Sequence, residues 1–194
     1  MQLARVIETS EAVAATRSRT AKTAALARTL REAHGTGLEE VVADYLAGVL
    51  PQRRVGVSWR GLRSLPEPAE TSTLTVAEVH EELTAMAGIG GAGSTAERAE
   101  AVRRLFSRAT AKEQSWLVGL ITGELRQGAS DGVLQKAIAE AAEVPEAAVR
   151  RAVMLAGFAG PVAAAALSGG EDALREIRLE VGRLGARVAE IRGG

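Results

Sequence analysis

The apolar residues of this chain recur three and four positions apart over most of its length, and almost all of them are Ala, Leu, Val or Ile. That period gathers them onto one face of an α-helix. Aromatic residues make up 3% of the chain against 46% for all hydrophobic residues, so the interior has to be built from small aliphatic side chains. Such side chains let helices approach closely and suit a β-sandwich poorly. The expected fold is all-α: a compact multi-helix domain of two packed helical sub-bundles with glycine-rich turns. At 194 residues the chain is long enough for a sizeable core in one domain or a close pair.

The periodicity predicts helices over Gln2–Ala15, Arg19–Glu32 and Leu38–Leu46. From Leu46 to Thr75 the pattern breaks, with Pro51, Gly56, Gly61, Pro66 and Pro68 as punctuation. Trp59 in this stretch either stacks on a nucleotide or anchors its loop in the core. Further helices are predicted over Val76–Met86, Thr95–Ser107, Ala111–Gly119, Val133–Ala142, Pro145–Ala156 and Pro161–Leu167, with Pro145 and Pro161 as first helical residues. Arg151–Gly160 and Val162–Leu167 read as core. After Gly169 and Gly170, Leu174, Ile177, Val181, Leu184, Val188 and Ile191 form an a/d-like stripe over Glu171–Ile191, which packs on its own domain or pairs with another chain. Residues 1–168 are accordingly expected as the helical domain, and 169–194 as a C-terminal helix or interdomain linker.

Charge and composition exclude several functions. With no cysteine there is no disulfide, thiolate metal site or cysteine nucleophile, and His34 and His80 are far apart in sequence. No signal peptide or long apolar run is evident, which predicts a cytoplasmic chain without a membrane partner. The formal net charge is zero. Its distribution is uneven: ten Arg/Lys against six Asp/Glu in residues 1–63, one against seven in 64–100, and thirteen against eleven in 101–194.

Three turns stand out as places where backbone is offered to an anion. Thr16-Arg17-Ser18-Arg19-Thr20-Ala21-Lys22 sets basic side chains around a helix start that Ser18 or Thr20 would cap, attracting anions by dipole and charge, or it is a solvated capping turn. Gly90-Gly91-Ala92-Gly93-Ser94 closes with Ser94 as N-cap. It lacks the Gly-Lys-Ser/Thr and preceding strand of a P-loop, and reads as a backbone-approach turn or a plain flexible one. Gly123–Ser130 is a basic glycine-marked turn in which Arg126 stands among Gly123, Gly128 and Gly132, with Ser130 or Asp131 capping the next helix. It is either phosphate-facing or an ordinary helix corner.

Taken in order, Thr16-Arg17-Ser18-Arg19 with Leu26-Ala27 and Leu30-Arg31, then Arg53-Arg54-Val-Gly-Val-Ser-Trp59, then Gly90–Ser94, then Trp116-Leu-Val-Gly-Leu-Ile-Thr-Gly-Glu-Leu-Arg126-Gln-Gly128 resembles the N-terminal DNA-binding domain of ATP-dependent DNA ligases of the bacterial type, up to about Arg183. The resemblance implies an all-helical domain that grips the minor groove of nicked duplex DNA, in repair, replication or recombination, in the cytoplasm at the nucleoid. It implies phosphate-backbone contacts from Ser18, Arg19 and Lys22, from Gly90, Gly91, Gly93 and Ser94, and from Gly123, Arg126, Gly128 and Ser130. Glu124 stands where many relatives carry a basic residue, so one contact is expected to be missing.

None of Lys22, Lys112 and Lys136 lies in the Lys-x-Asp-Gly setting that the nucleotidyltransferase of such ligases needs. The chain is therefore expected not to ligate. It has no cofactor of its own, since ATP and Mg2+ belong to the catalytic domain, a partner in cis or in trans. After Leu-Glu-Val-Gly-Arg183 the sequence departs from the family pattern, and whether the chain is a truncated piece or a stand-alone domain stays open. The other class of function is a helical protein-interaction module, with weak self-association through the C-terminal stripe.

Overall fold

The computed structural model of the chain describes residues 1–125 and 128–178. Among the described residues nine α-helices follow one another: α1 (Leu3–Ala15), α2 (Arg19–Ala33), α3 (Glu39–Leu46), α4 (Val76–Gly88), α5 (Ser94–Phe106), α6 (Ala111–Thr122), α7 (Asp131–Ala142), α8 (Glu146–Ala156) and α9 (Ala159–Glu176). A single 3-10 turn, Trp59–Leu62, interrupts the long connection between α3 and α4. An isolated antiparallel bridge of Gln2 with Thr75 is the one β-type pairing among the described residues, and it ties the start of α1 to the start of α4.

Helix starts are set by local chemistry. Thr75 with Glu78 and Thr110 with Glu113 form complete capping boxes, each satisfying two backbone donors that a helix N-terminus would otherwise leave unpaired. Glu113 is buried, and its second oxygen accepts from Ser72 Oγ at 2.5 Å, which keeps its carboxylate satisfied in the interior.

The two sub-bundles do not follow chain order. α1, α2 and α3 pack with α7, α8 and α9, the most extensive contacts being α2 on α7 and α3 on α9. α4 and α5 form a hairpin that meets α3 through α4, and α6 packs on α1. Gln114 on α6 binds the end of α5 through the Phe106 carbonyl at 2.8 Å and the α3–α4 connection through the Pro66 carbonyl at 3.1 Å. One continuous core runs through both groups, with Leu3, Leu26, Leu30, Leu83, Phe106 and Leu117 fully buried. Tyr45 of α3 meets Trp116 of α6 edge to face, centroids 5.4 Å apart.

Several expectations need correcting. Trp59 does not anchor its loop: it is 53% exposed, because Val55 and Leu62 on either side already fill that part of the core. Met154, expected as core, is 75% exposed, since Val149 and Ala152 occupy the inner face of α8. Pro145 takes the N-cap position, one residue before α8, and Pro161 lies inside the first turn of α9, where its missing N–H is equally harmless. The break expected at Gly169 and Gly170 is present, since Gly170 leaves the helical conformation at φ 62 and ψ -149 and divides α9 in two, but the helix expected over Glu171–Ile191 stops at Glu176, with Ile177 extended. Of the amphipathic stripe expected over Glu171–Ile191, Leu174 is buried and Ile177 packs against the core, and the remainder lies outside the described residues.

Candidate nucleic-acid interface

The first turn is built on the start of α2. Ser18 is its N-cap: the hydroxyl accepts from the Ala21 N–H at 3.2 Å, while its own N–H donates to Thr16 Oγ1 at 3.2 Å. No acidic residue sits in the first turn, so the helix dipole is left uncompensated, and the exposed Arg17 and Arg19 make no ion pair among the described residues. Lys22 lies one turn in, and its ammonium donates to the carbonyl of Gly128.

That hydrogen bond brings the first turn against Gly123–Ser130. α6 ends at Gly123, which is left-handed at φ 73, and the next two N–H groups, of Glu124 and Leu125, close back on the Gly119 carbonyl at 2.9 and 3.1 Å. Gly128 is glycine for two reasons. Its φ is 63, and a Cβ there would stand 3.0 Å from the backbone Cα of Ala14 on α1. Ser130 occupies the N-cap position of α7 without a side-chain cap bond, and its exposed hydroxyl makes no hydrogen bond among the described residues. Asp131 follows in the first turn, so this helix start attracts an anion less than that of α2 does. Glu124 is exposed beside Gly123. Arg126, named from the sequence as a contact, lies outside the described residues.

The Gly90–Ser94 turn belongs to the other group of helices, at the α4–α5 corner. A Cβ at Gly90, Gly91 or Gly93 would meet nothing within 4 Å, so packing does not demand glycine here; the positive φ of Gly91 and Gly93 does. Gly93, at φ 84, holds the N-cap position expected for Ser94, which instead becomes the first residue of α5. No hydrogen bond or ion pair among the described residues joins this turn to the other two. Sequence reasoning missed what positions it: Arg98, one turn into α5, donates to the Ile89 carbonyl, and its guanidinium fills the space that a Cβ on Gly56 would need. Nothing in the spacing signals that role.

Ion pairing decides which basic residues remain available. Arg5 binds Glu32 with two hydrogen bonds of 2.7 and 2.8 Å, which lower the Glu32 carboxyl from its ordinary value and raise the Arg5 guanidinium. Arg104 is paired with Glu82 and Lys112 with Glu11, and Arg108 together with Thr75 pulls Glu78 down to about 2. Pairing thus occupies part of the basic surface, whereas Arg17 and Arg19 at the start of α2, and Arg54, Arg60 and Arg63 in the α3–α4 connection, make no ion pair among the described residues. A groove of about 350 Å³ runs between Gly48–Leu50, Arg53, Leu120–Gly123 and Phe158, so the Gly123 turn forms one of its walls. Among the described residues no His, Cys, Asp or Glu cluster is arranged to hold a metal ion, and no helix is long and apolar enough to cross a membrane.

Residues 57–139 match the family described as DNA ligase N terminus. The chain is 52% identical over 185 residues to a probable DNA ligase of Nocardioides sp. (strain ATCC BAA-499 / JS614), covering 93% of this chain and 36% of that protein. It is 55% identical over 168 residues to a probable DNA ligase of Beutenbergia cavernae, covering 87% and 33%, and 47% identical over 198 residues to one of Mycobacterium sp. (strain KMS), covering 100% and 38%. The chain spans about a third of the length of the curated relatives it matches.

Proposed function

We propose, on the premise that this chain carries the N-terminal domain of a DNA ligase, that it grips nicked duplex DNA from the minor-groove side through the sugar-phosphate backbone and without reading base sequence. The observation that carries this is the Lys22 hydrogen bond to the Gly128 carbonyl, which makes one surface of two turns that are remote in sequence. On that surface the uncompensated start of α2, the exposed Arg19 and the exposed Ser130 hydroxyl are the groups that take phosphate oxygens, with Gly123 and Gly128 letting the backbone come close. Arg126 adds its guanidinium, and Gly90, Gly91, Gly93 and Ser94 form a second backbone contact. Sealing belongs to a nucleotidyltransferase domain, in cis or in trans, with its ATP and Mg2+; this chain contributes binding only.

Fluorescence anisotropy with nicked duplex at two salt concentrations tests the proposal. Affinity falls steeply with salt and varies little with sequence, as for any site dominated by phosphate contacts. Absence of binding even at low salt refutes it. Arg126→Ala loses about 1–2 kcal/mol, the contribution of one charge-assisted contact, and an unchanged affinity would show that the turn is only a helix corner. The alternative, a helical protein-interaction module docking through its acidic middle and C-terminal stripe, predicts no DNA binding at either salt concentration.

A further inference from the structure

Between Asp44 and Glu67 the chain has no acidic residue and carries four arginines, Arg53, Arg54, Arg60 and Arg63, all exposed. In the middle of this segment stands Trp59, one of two tryptophans in the protein, held out of the core rather than in it. The turn that presents it is fixed from both sides. The Ser58 hydroxyl and carbonyl accept from the Gly61 N–H at 3.3 and 2.9 Å, and Val55 and Leu62 are buried. Arg98 fits against Gly56 where a Cβ would collide with its guanidinium. The turn is therefore held in place while the indole it carries faces solvent among cations.

Duplex DNA shows no base faces except where the stack is broken, whereas an unpaired nucleotide offers both a base face and a phosphate. An exposed aromatic plate beside Arg54, Arg60 and Arg63, which make no ion pair among the described residues, is the arrangement that holds single strands, by stacking and by charge. The segment also adjoins the duplex-binding surface proposed above, because Arg53 and Gly123 line the same groove. We infer that Arg53–Arg63 is a contact for unpaired nucleotides, with Trp59 stacking on a base and Arg54, Arg60 and Arg63 holding its neighbouring phosphates. The inference rests on the proposed DNA binding for the duplex flanking the break, and it directs the domain toward gapped or frayed breaks over perfectly closed nicks.

The test uses the whole chain, three probes and two readouts. The probes are a nicked duplex, the same duplex with a short single-stranded gap, and a single-stranded oligonucleotide. Anisotropy gives affinity, and intrinsic tryptophan emission reports stacking, because Trp116 is buried against Tyr45 and Trp59 alone faces solvent. The gapped duplex and the single strand are expected to quench the emission. Gapped DNA is expected to bind about tenfold more tightly than nicked DNA, the contribution of roughly one stacked base. Trp59→Ala abolishes the quench and the gap preference while leaving nicked-duplex affinity within about twofold, and Trp59→Phe restores much of the preference. Quenching by single strands without nicked-duplex binding would overturn the duplex proposal and leave this one standing. Nicked-duplex binding with no quench by any probe, or an undiminished gap preference in Trp59→Ala, overturns the inference, and so does failure of all three probes to bind.

Discussion

Asp44 is the most strongly perturbed carboxyl that the fold has to accommodate, and it lends itself to a quantitative perturbation. It sits on α3 with 7% of its surface exposed, facing the start of α9, where a Cβ on Gly160 would run into its carboxylate. Burial pushes its carboxyl up from 3.8 to about 7; the charge of Glu40, one turn earlier on α3, adds to the shift, and a hydrogen bond from the Gly160 backbone opposes it. Below the unfolded value both states are protonated and there is no penalty. As pH rises through the window from 3.8 to about 7 the unfolded chain ionises first, so stability falls, and above that window the loss is constant. A shift of this size corresponds to a ceiling of about 4 kcal/mol, and residual access to water brings it to about 2 kcal/mol. Asp44→Asn keeps the shape and an oxygen to accept from Gly160 but cannot ionise. The Asn variant is therefore expected to match the parent near pH 4 and to exceed it by about 2 kcal/mol near pH 8. Urea denaturation across this range reads the difference from the midpoint and slope. Parallel pH profiles for the two proteins, or an Asn variant that is the less stable at high pH, would refute the reasoning.

The glycines of the candidate interface separate two effects. Gly123→Ala meets only the left-handed backbone and should cost about 1 kcal/mol, whereas Gly128→Ala adds a collision with the Ala14 backbone and should cost about 2–3 kcal/mol in the same denaturation assay. Equal losses would show that the approach to α1 is not tight. Ser18→Ala removes the cap of α2 and should lower stability by about 1 kcal/mol, with thermal unfolding as the check. Glu124→Lys replaces an exposed anion beside Gly123 with a cation. It should strengthen nicked-duplex binding and steepen its log–log salt dependence by about one unit, and an unchanged slope would place residue 124 away from phosphate.

Much of the helical organisation was legible because its causes are local. Periodic Ala, Leu and Val positions, Ser18 ahead of α2 and Gly123 after α6 act within a few residues, so α1 to α8 were each placed to within a turn. Where local rules competed with long-range packing, they failed. Trp59 looked like an anchor, but Val55 and Leu62 hold the segment and leave the indole in solvent. Ser94 looked like a cap, but the left-handed Gly93 turns the chain one residue earlier. Asp44 gave no signal at all, because its perturbed carboxyl depends on α9, which lies more than a hundred residues further along the chain.

The same division runs through the candidate interface. The three turns, their glycines and their basic residues are written in the sequence, since backbone freedom and side-chain charge belong to the residues themselves. Which turns act together is not written there. It follows from α2 packing on α7, a contact between apolar faces far apart in the chain, which carries Lys22 to the Gly128 carbonyl. Which arginines stay available was also a tertiary outcome, because the partners Glu32, Glu78 and Glu82 arrive on other helices or turns. Helix content could be read residue by residue because hydrogen bonding along a helix is short-range; the surface that results depends on which faces bury one another, and only the packed chain decides that.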